Sequence, residues 1–319
     1  MTETLVAIRD LQVQFDTRVG VVQAVDHVDL DIIHGQVLGL VGESGCGKST
    51  LGFSILRLIR PPGQIVGGTI TFDGEELLAQ TEAEMNRLRG KRIAMIFQDP
   101  MTSLNPLQRI DDHFIETIRT HEPDVNKEAA LQQAQEMFEH LGIPSDRLHD
   151  YPHQLSGGMR QRVMIGLALI LNSDLVIADE PTTSLDVIVE AQILDLMRDL
   201  QRAYGVTMML ITHNMGIVAE MADRIAVMYA GQIAEVAPAQ VLFDDPKHPY
   251  TQGLLRSIPN IKLRDQELET MPGSPPHLID QRPHCRFAPR CPQAMPACAE
   301  VNPPMVRVGP GRHVACLLY

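Results

Sequence analysis

The chain has 319 residues, of which 44% are hydrophobic and 21% are charged, and this composition predicts a globular protein with enough chain for about two domains. Its 27 Lys plus Arg and 40 Asp plus Glu give a formal net charge of −13, which argues against a nucleic-acid-binding or anionic-membrane surface because such partners require clustered Lys and Arg. The absence of Trp and an aromatic content of 4% also disfavour a platform on which bases stack.

Strand and helix patterns alternate through most of the chain. The first 33 residues have strand-like character without an intervening helix, which predicts a small antiparallel layer. Short apolar runs then alternate with helical segments, and this alternation predicts a parallel sheet buried on both faces. The runs are QVLGLV (36–41), IAMIF (93–97), LVIAD (175–179), TMMLIT (207–212) and RIAVMYA (224–230).

No segment has the length of a membrane span or the pattern of a leader. The apolar run from Val163 to Leu171 has nine residues, whereas a bilayer span needs about 20. The N-terminal MTETLVAIRD lacks the basic and apolar regions of a signal peptide. We therefore expect a cytoplasmic protein whose membrane role, if it has one, comes through a partner.

Residues 42–49, GESGCGKS, fit the phosphate-binding pattern G-x-x-x-x-G-K-[ST] between a strand and a helix. Backbone N–H groups of such a loop surround phosphates, and the helix N-terminus adds positive potential. Lys48 is expected at the β- and γ-phosphates, Ser49 at Mg²⁺, and Thr50 as a further donor. Cys46 is either a redox switch or a tolerated small residue. The remaining residues predicted to surround the phosphates are Gly42, Ser44, Gly45 and Gly47.

Two other segments carry chemistry of the same kind. The run LVIADE (175–180) ends in two carboxylates: Asp179 suits a water-mediated contact to Mg²⁺, and Glu180 suits a general base that orients the attacking water. A solvated strand end is the alternative. Ser156, Gly157 and Gly158 open a helical segment and offer donors to an anion, or else they form a plain helix N-cap.

Five segments occur in an order that resembles the ATPase motifs of ABC transporters: GESGCGKST, Gln98 in IFQDP, LSGGMRQR, LVIADEPTTSLD and His213 in ITHN. The chain is most similar to the ATP-binding subunits of dipeptide and oligopeptide importers (the peptide/nickel family). The features that carry this closer resemblance are FQDPMTSLNP (97–106), YPHQLSGGM (151–159), HPYTQGLL (248–255) and the terminal cysteine segment.

The resemblance covers almost the whole chain and implies an α/β fold, the P-loop ABC ATPase. It implies a parallel core sheet, an N-terminal antiparallel β layer and a helical subdomain at about 100–172, all within an ATPase domain at 1–245. A Pro/Cys-rich C-terminal extension of the oligopeptide-transporter type would follow at 246–319.

The resemblance also implies residue roles. Gln98 would sense Mg²⁺ and the attacking water and carry motion to the membrane subunits, and His213 would contact the γ-phosphate. Ser156 and Gly158 would hold the γ-phosphate of ATP bound to the opposite subunit. Asp186 would contact the dimer interface near that water.

One further role and a set of partners follow from the same resemblance. An aromatic side chain usually stacks on adenine in this family, and Phe15 is the candidate, with a plain core Phe as the alternative. The implied partners are two integral-membrane permease subunits, a second ATPase chain and an extracytoplasmic substrate-binding protein; the second ATPase chain is expected to be a paralogue, with an identical copy as the alternative. The implied location is the cytoplasmic face of the inner membrane.

Four of the five cysteines, Cys285, Cys291, Cys298 and Cys316, lie in the last 35 residues. In a reducing cytoplasm such a group indicates metal or cluster ligands before disulfides. The gaps exceed the C-x2–4-C spacing of zinc sites, and Pro292 after Cys291 is similar to the Cys-Pro of ferredoxin ligand runs. Some importer ATPases carry a cluster, so we predict a structural [4Fe–4S] site, with zinc and free or partly oxidised thiols as alternatives.

Because every ATPase motif ends by His213, the sequence assigns these cysteines no part in hydrolysis. The leading interpretation is an ATPase that powers peptide import by ATP-driven dimer closure and reopening after hydrolysis. Repair ATPases of the coiled-coil kind insert hundreds of residues between phosphate loop and signature, but Lys48 and Ser156 are 108 residues apart here. Translation-type members carry two ATPase units per chain, and a P-loop kinase or GTPase leaves LSGGM unexplained. Dipeptides, longer peptides, nickel chelates and glycosides stay open as cargo.

Overall fold

The computed structural model describes residues 3–99, 103–183, 185–257, 271–279, 281 and 284–319. Residues 100–102 of the FQDPMTSLNP segment lie outside the described residues. Contacts divide the chain into a first unit, Met1–Ala79 with Leu210–Tyr319, and a second unit, Gln80–Met209. The domain boundary predicted between residues 245 and 246 falls inside the first unit and stays a prediction. In the described ranges no helix is long and apolar enough to cross a bilayer.

The N-terminal antiparallel layer is confirmed in the first unit. Its strands are β1 Thr4–Thr17, β2 Gly20–Ile33, β4 Gly63–Phe72 and β5 Glu75–Glu76. They run in the order β2, β1, β4, β5 across the sheet, and all neighbours are antiparallel. Apolar side chains of β1, including Ile8, Leu11 and Val13, are fully buried, as expected for the covered face of a half-exposed sheet.

The first unit also contains a mixed sheet. Strand β3 (Val37–Val41) is buried at every residue and pairs parallel with β9 (Arg224–Tyr229). Strand β10 (Gln232–Pro238) continues the sheet antiparallel to β9. A C-terminal hairpin, β11 (Met305–Gly309) and β12 (Arg312–Ala315), joins through β12 to β10.

The described residues of the first unit include the helices α1 (Lys48–Ile55), α7 (Met215–Met221), α8 (Ala239–Asp244) and α9 (Pro249–Arg256). One apolar cluster combines strand residues, including Val227 and Tyr229, with Tyr250 and Phe287 of the C-terminal extension. The extension therefore shares a hydrophobic core with strands of the ATPase region and is not an independent module.

The second unit has two parallel strands, β6 (Ile93–Ile96) and β7 (Leu175–Asp179), in the register that pairs Ile96 with Ala178. Strand β8 (Thr207–Thr212) is buried throughout and contains the point at which the chain passes into the first unit. The helices of this unit are α2 (Glu82–Leu88), α3 (Ile110–His121), α4 (Lys127–His140), α5 (Gly157–Leu169) and α6 (Val187–Tyr204).

Candidate functional site

The phosphate loop, residues 42–49, connects β3 to α1 in the first unit. The Lys48 side chain is buried, and its Nζ donates to the carbonyl oxygens of Gly42 at 2.8 Å and Glu43 at 3.0 Å. These bonds hold the ammonium inside the curve of the loop, which is where a bound polyphosphate is expected. Gly47 has a φ of 105°, and a Cβ there would lie 2.1 Å from the backbone oxygen of Ala24, so only glycine fits.

Helix α1 begins without a side chain that competes for its first N–H groups. Its N-cap is Gly47, no side-chain cap is formed, and its first turn contains no acidic residue. Ser49 and Thr50 lie in that turn at partly exposed positions. The N–H groups of the first turn and the helix dipole make this end of α1 suited to an anion.

In the second unit, the parallel pairing of β6 and β7 brings together two residues that the sequence predicted to act together. Because Ile96 is paired with Ala178, Gln98 and Glu180 leave the sheet at the same level. Glu180 Oε2 accepts hydrogen bonds from Gln98 Nε2 at 3.0 Å and from Thr183 Oγ1 at 2.8 Å. Thr183 was not predicted, although it stands three residues after Glu180.

The carboxylates at the end of β7 differ in their surroundings. Asp179 is buried, whereas Glu180 is partly exposed. Glu180 has a φ of 46°, in the left-handed region that costs a non-glycine residue about 1–3 kcal/mol. Strain of this size at an acidic residue between two donors is typical of a functional position.

Two helix starts of the second unit form an exposed surface, which we call the signature face: Ser156, Gly157, Asp186, Val187 and Ile188. Ser156 is the N-cap of α5 and accepts from the Met159 N–H at 3.3 Å. Asp186 caps α6. The apolar side chains of Val187 and Ile188 are 81% and 72% exposed. Ser156 therefore forms the helix N-cap with its side chain at the protein surface, and its role toward an anion stays a prediction.

The two remaining predicted nucleotide contacts lie in the first unit. His213 is exposed and follows β8 directly. Phe15 is half-buried on β1 opposite Gly63, where a Cβ would come within 2.5 Å of the Phe15 ring. Nothing in this geometry tests whether Phe15 stacks on adenine, so that role stays a prediction.

The four C-terminal cysteines have free thiols. Burial raises the pKa of Cys285, and the neighbouring sulfurs of Cys298 and Cys316 raise it further. Burial likewise raises the pKa of Cys291, again with contributions from Cys316 and Cys298. The sulfurs are therefore neighbours, yet among the described residues no three His, Cys, Asp or Glu side chains are placed to hold a metal ion.

The extension reaches the phosphate loop through residues that the sequence did not single out. Arg290 forms an ion pair with Glu43, and the Tyr250 hydroxyl accepts a hydrogen bond from the Glu43 N–H. Tyr250 stands within the HPYTQGLL segment and Arg290 directly precedes Cys291, so each adjoins a motif, but neither motif indicates Glu43 as the partner.

Comparison with known proteins identifies the family of this chain. Residues 25–183 match the ABC transporter family, and residues 234–298 match the C-terminal region of oligopeptide and dipeptide transporters. The dipeptide transport ATP-binding protein DppD of Bacillus subtilis is 46% identical over 304 residues, which cover 94% of this chain and 90% of that protein. The chain belongs to the family of peptide-transporter ATP-binding proteins.

A second relative of this ATP-binding subunit is the oligopeptide transport ATP-binding protein OppD of Salmonella typhimurium. It is 44% identical over 314 residues, covering 98% of this chain and 93% of the relative. As a member of the ABC transporter family, the subunit binds and hydrolyses ATP.

Solved structures confirm the predicted fold. The dimeric post-hydrolysis structure of the ATP-binding cassette MJ0796 bound to ADP and Pi has a TM-score of 0.66 at 24% identity, covering 73% of this chain and 98% of that one. The cbiO1 subunit of the cbiONQ transporter from Clostridium perfringens has a TM-score of 0.63 at 22% identity, covering 76% and 92%. The subunit is thus a mixed α/β ABC ATPase.

Proposed function

We propose that this subunit powers the import of di- or oligopeptides through two permease subunits at the cytoplasmic face of the inner membrane. An extracytoplasmic binding protein delivers the peptide to the permease. One observation carries the proposal. An extension of the peptide-transporter type, residues 234–298, accompanies a full set of ATPase motifs, and its Tyr250 and Phe287 pack into a hydrophobic core of the first unit.

Glu180 is the proposed general base of hydrolysis. The donors Gln98 Nε2 and Thr183 Oγ1 both reach Oε2, so they stabilise the carboxylate anion and fix its orientation toward the attacking water. Since the Gln98 amide nitrogen is bound to Glu180, its carbonyl oxygen is the atom left to contact water or Mg²⁺. A change at Gln98 is then felt directly at the base.

Lys48, Ser49 and Thr50 are the proposed phosphate ligands, and His213 the proposed sensor of the γ-phosphate. Ser49, Asp179 and Gln98 offer oxygen atoms, the donors that Mg²⁺ prefers, and the ion would neutralise charge on the phosphates. Lys48 already has its charge inside the loop, so little rearrangement of this side chain is needed when the β- and γ-phosphates arrive.

A second ATPase chain, a paralogue of this one, is the proposed partner of the signature face. Solvent-exposed Val187 and Ile188 beside two helix N-termini form an apolar and anion-attracting surface, which suits an interface that closes over nucleotide. Ser156 and Gly158 would then complete the site on the partner, and Asp186 would lie at the interface.

We further propose that Cys285, Cys291, Cys298 and Cys316 hold a structural [4Fe–4S] cluster. The chemistry of the donor set supports this proposal: four free thiols, with Cys298 buried and the other three partly buried, are electrostatic neighbours. A cluster would bind each thiolate through a different iron and would need the sulfurs further apart than one zinc ion does, and zinc stays the alternative. Anaerobic purification followed by analysis should give about four iron and four sulfide per chain; stoichiometric zinc without sulfide would contradict the cluster.

Reconstitution tests the transport proposal. The subunit, the permease pair and the binding protein encoded beside it are placed in proteoliposomes, and ATP hydrolysis is measured with candidate cargo. Dipeptides or oligopeptides should stimulate hydrolysis and accumulate inside, while Glu180→Gln should do neither. Stimulation by a nickel chelate or a glycoside alone would contradict peptide import and leave the ATPase assignment intact.

A further inference from the structure

Every polar group of Glu43, the second residue of the phosphate loop, has a partner. Its carboxylate accepts two hydrogen bonds from the Arg290 guanidinium, Nη1 to Oε2 at 2.8 Å and Nη2 to Oε1 at 3.0 Å. Its N–H donates to the Tyr250 hydroxyl at 2.9 Å. Its carbonyl oxygen accepts from Lys48 Nζ at 3.0 Å. Glu43 thus joins the C-terminal extension to the lysine expected at the phosphates.

Arg290 is itself firmly held. Its side chain is 6% exposed, and its Nε donates to the Pro272 carbonyl oxygen at 2.9 Å. Its guanidinium lies 5.8 Å from the centre of the Tyr229 ring, and Nη1 is 3.3 Å from the Tyr229 hydroxyl. As a guanidinium, the Arg290 side chain stays charged at all accessible pH values.

We infer that Arg290 is a positioning residue for nucleotide binding, which acts on the phosphate loop through Glu43. Two physical effects operate. A two-point ion pair fixes the conformation of the loop before ATP arrives, so that ATP binding carries a smaller entropic cost of ordering the loop. The guanidinium also cancels the charge of a carboxylate that would otherwise repel the ATP phosphates from a neighbouring position.

The position of Arg290 in the chain connects this contact to the cysteines. Cys291 is the next residue, and its N–H donates to the Ala288 carbonyl oxygen at 3.3 Å in a short turn. Whatever fixes the Cys291 side chain therefore restrains the backbone from which Arg290 extends. The expectation that the cysteines have no part in hydrolysis stays a prediction, while the ion pair joins the residue before Cys291 to the phosphate loop across 247 positions of sequence.

Equilibrium ATP binding to the full chain, measured by titration calorimetry with Mg²⁺ present, tests the inference. Arg290→Gln should weaken ATP binding about tenfold, within the usual range of coupling between sites. The ATP affinity of Arg290→Lys should lie between those of the wild type and Arg290→Gln, because an ammonium keeps the charge and loses the two-point geometry. Wild-type affinity in Arg290→Gln would overturn the inference.

Arg312→Lys is the matched control. Arg312 is a buried arginine of the same extension, and its ion-pair partners among the described residues, Glu235 and Asp245, lie outside the phosphate loop. The Arg312→Lys substitution should lower the melting temperature of the protein and leave its ATP dissociation constant unchanged. An equal loss of affinity in this variant would mean that any damage to the extension disturbs binding, and would overturn a specific role for Arg290.

A double-mutant cycle shows whether Arg290 acts through Glu43. Once Glu43→Gln has removed the carboxylate, adding Arg290→Gln should change ATP affinity less than about twofold, because the two residues form one coupled pair. In the reconstituted transporter, Arg290→Gln should raise KM for ATP and leave kcat within about twofold, as expected for lost binding. Additive losses in the cycle, or a fall in kcat alone, would contradict the inference.

Discussion

Two helices of this subunit begin at glycine-containing segments, α1 after the phosphate loop and α5 after Ser156. At the first, Lys48 is buried and Glu43 is bonded on every side by residues of the same chain. At the second, Ser156 and Gly157 are exposed beside the uncovered side chain of Val187. Contacts within the same chain thus hold the glycine-containing segment before α1 in place, whereas the similar segment before α5 is exposed to solvent.

The difference follows from where each segment is proposed to find its ligand. A loop that binds nucleotide within its own chain gains affinity from being fixed in advance. A surface that contacts nucleotide held by another chain must stay uncovered until that chain arrives. Variants of the two regions should therefore fail in different ways.

The largest effect is expected for Glu180→Gln, which keeps both donors at Glu180 supplied with an acceptor and removes the base. Hydrolysis should fall at least about 100-fold, since a positioned base contributes that much or more. ATP binding should stay near wild type, and the closed dimer should accumulate. Phosphate release measures hydrolysis, calorimetry measures ATP binding, and size-exclusion chromatography with ATP detects the closed dimer. Normal turnover would remove Glu180 from the mechanism.

A large effect on stability is expected on acidification, through the extension that braces the phosphate loop. His248 is buried, its Nδ1 accepts from the Tyr250 N–H, and its other nitrogen bonds to the Ala315 backbone. Burial lowers the pKa of His248 from 6.5 to about 4. Stability from this neutral ring is full above pH 6.5 and is lost as the pH falls toward 4, by about 3 kcal/mol.

Urea unfolding of wild type and His248→Asn at several pH values between 7 and 4 measures this loss. Asparagine keeps an acceptor for the Tyr250 N–H and does not titrate. Its unfolding free energy should fall less steeply with decreasing pH than that of the wild type. Parallel pH profiles would show that His248 is not the group responsible.

Lys48→Ala should weaken ATP binding about 10- to 100-fold, the usual value of hydrogen bonds to a charged group. It removes the charge aimed at the phosphates and the bonds to the Gly42 and Glu43 carbonyl oxygens. Calorimetry on the isolated chain is sufficient, because this loop is complete within one chain. Unchanged affinity would contradict the assignment.

On the signature face, the double change Val187→Asp with Ile188→Asp should leave ATP affinity of the isolated chain unchanged. The new charges favour the start of α6 and oppose a closed apolar interface, so hydrolysis by the assembled transporter should fall about tenfold. Val19→Asp is the control, since Val19 is 75% exposed on the first unit. Equal losses in the control, or full activity of the double variant, would contradict the interface.

The smallest effect is expected for Cys291→Ser. If the bonding of the Cys291 side chain influences the position of Arg290, the ATP affinity of this variant should fall about twofold to threefold. This lies in the lower part of the range for residues along a coupled path. Calorimetry and iron analysis are performed on the same sample. Loss of iron without any change in ATP affinity would confine the cysteine site to folding and assembly.

Buried strands were the most predictable part of the fold. LVIAD coincides with β7 and TMMLIT with β8, because a strand covered on both faces is a short continuous apolar run. The hairpin β11–β12 was not predicted. It is short, follows Pro303 and Pro304, and carries Arg307, Arg312 and His313, so no apolar alternation indicates it.

The motif residues were also readable from sequence, since phosphate binding fixes both residue types and spacing within a few positions of one another. The pairing of Gln98 with Glu180 depends in addition on strand register, which places two distant segments at one level. The bond between Glu43 and Arg290 has no local pattern at all. An isolated Glu or Arg in a sequence does not indicate which residue it pairs with. Glu43 and Arg290 come together only because Tyr250 and Phe287 pack into the core, so this contact is determined by tertiary packing alone.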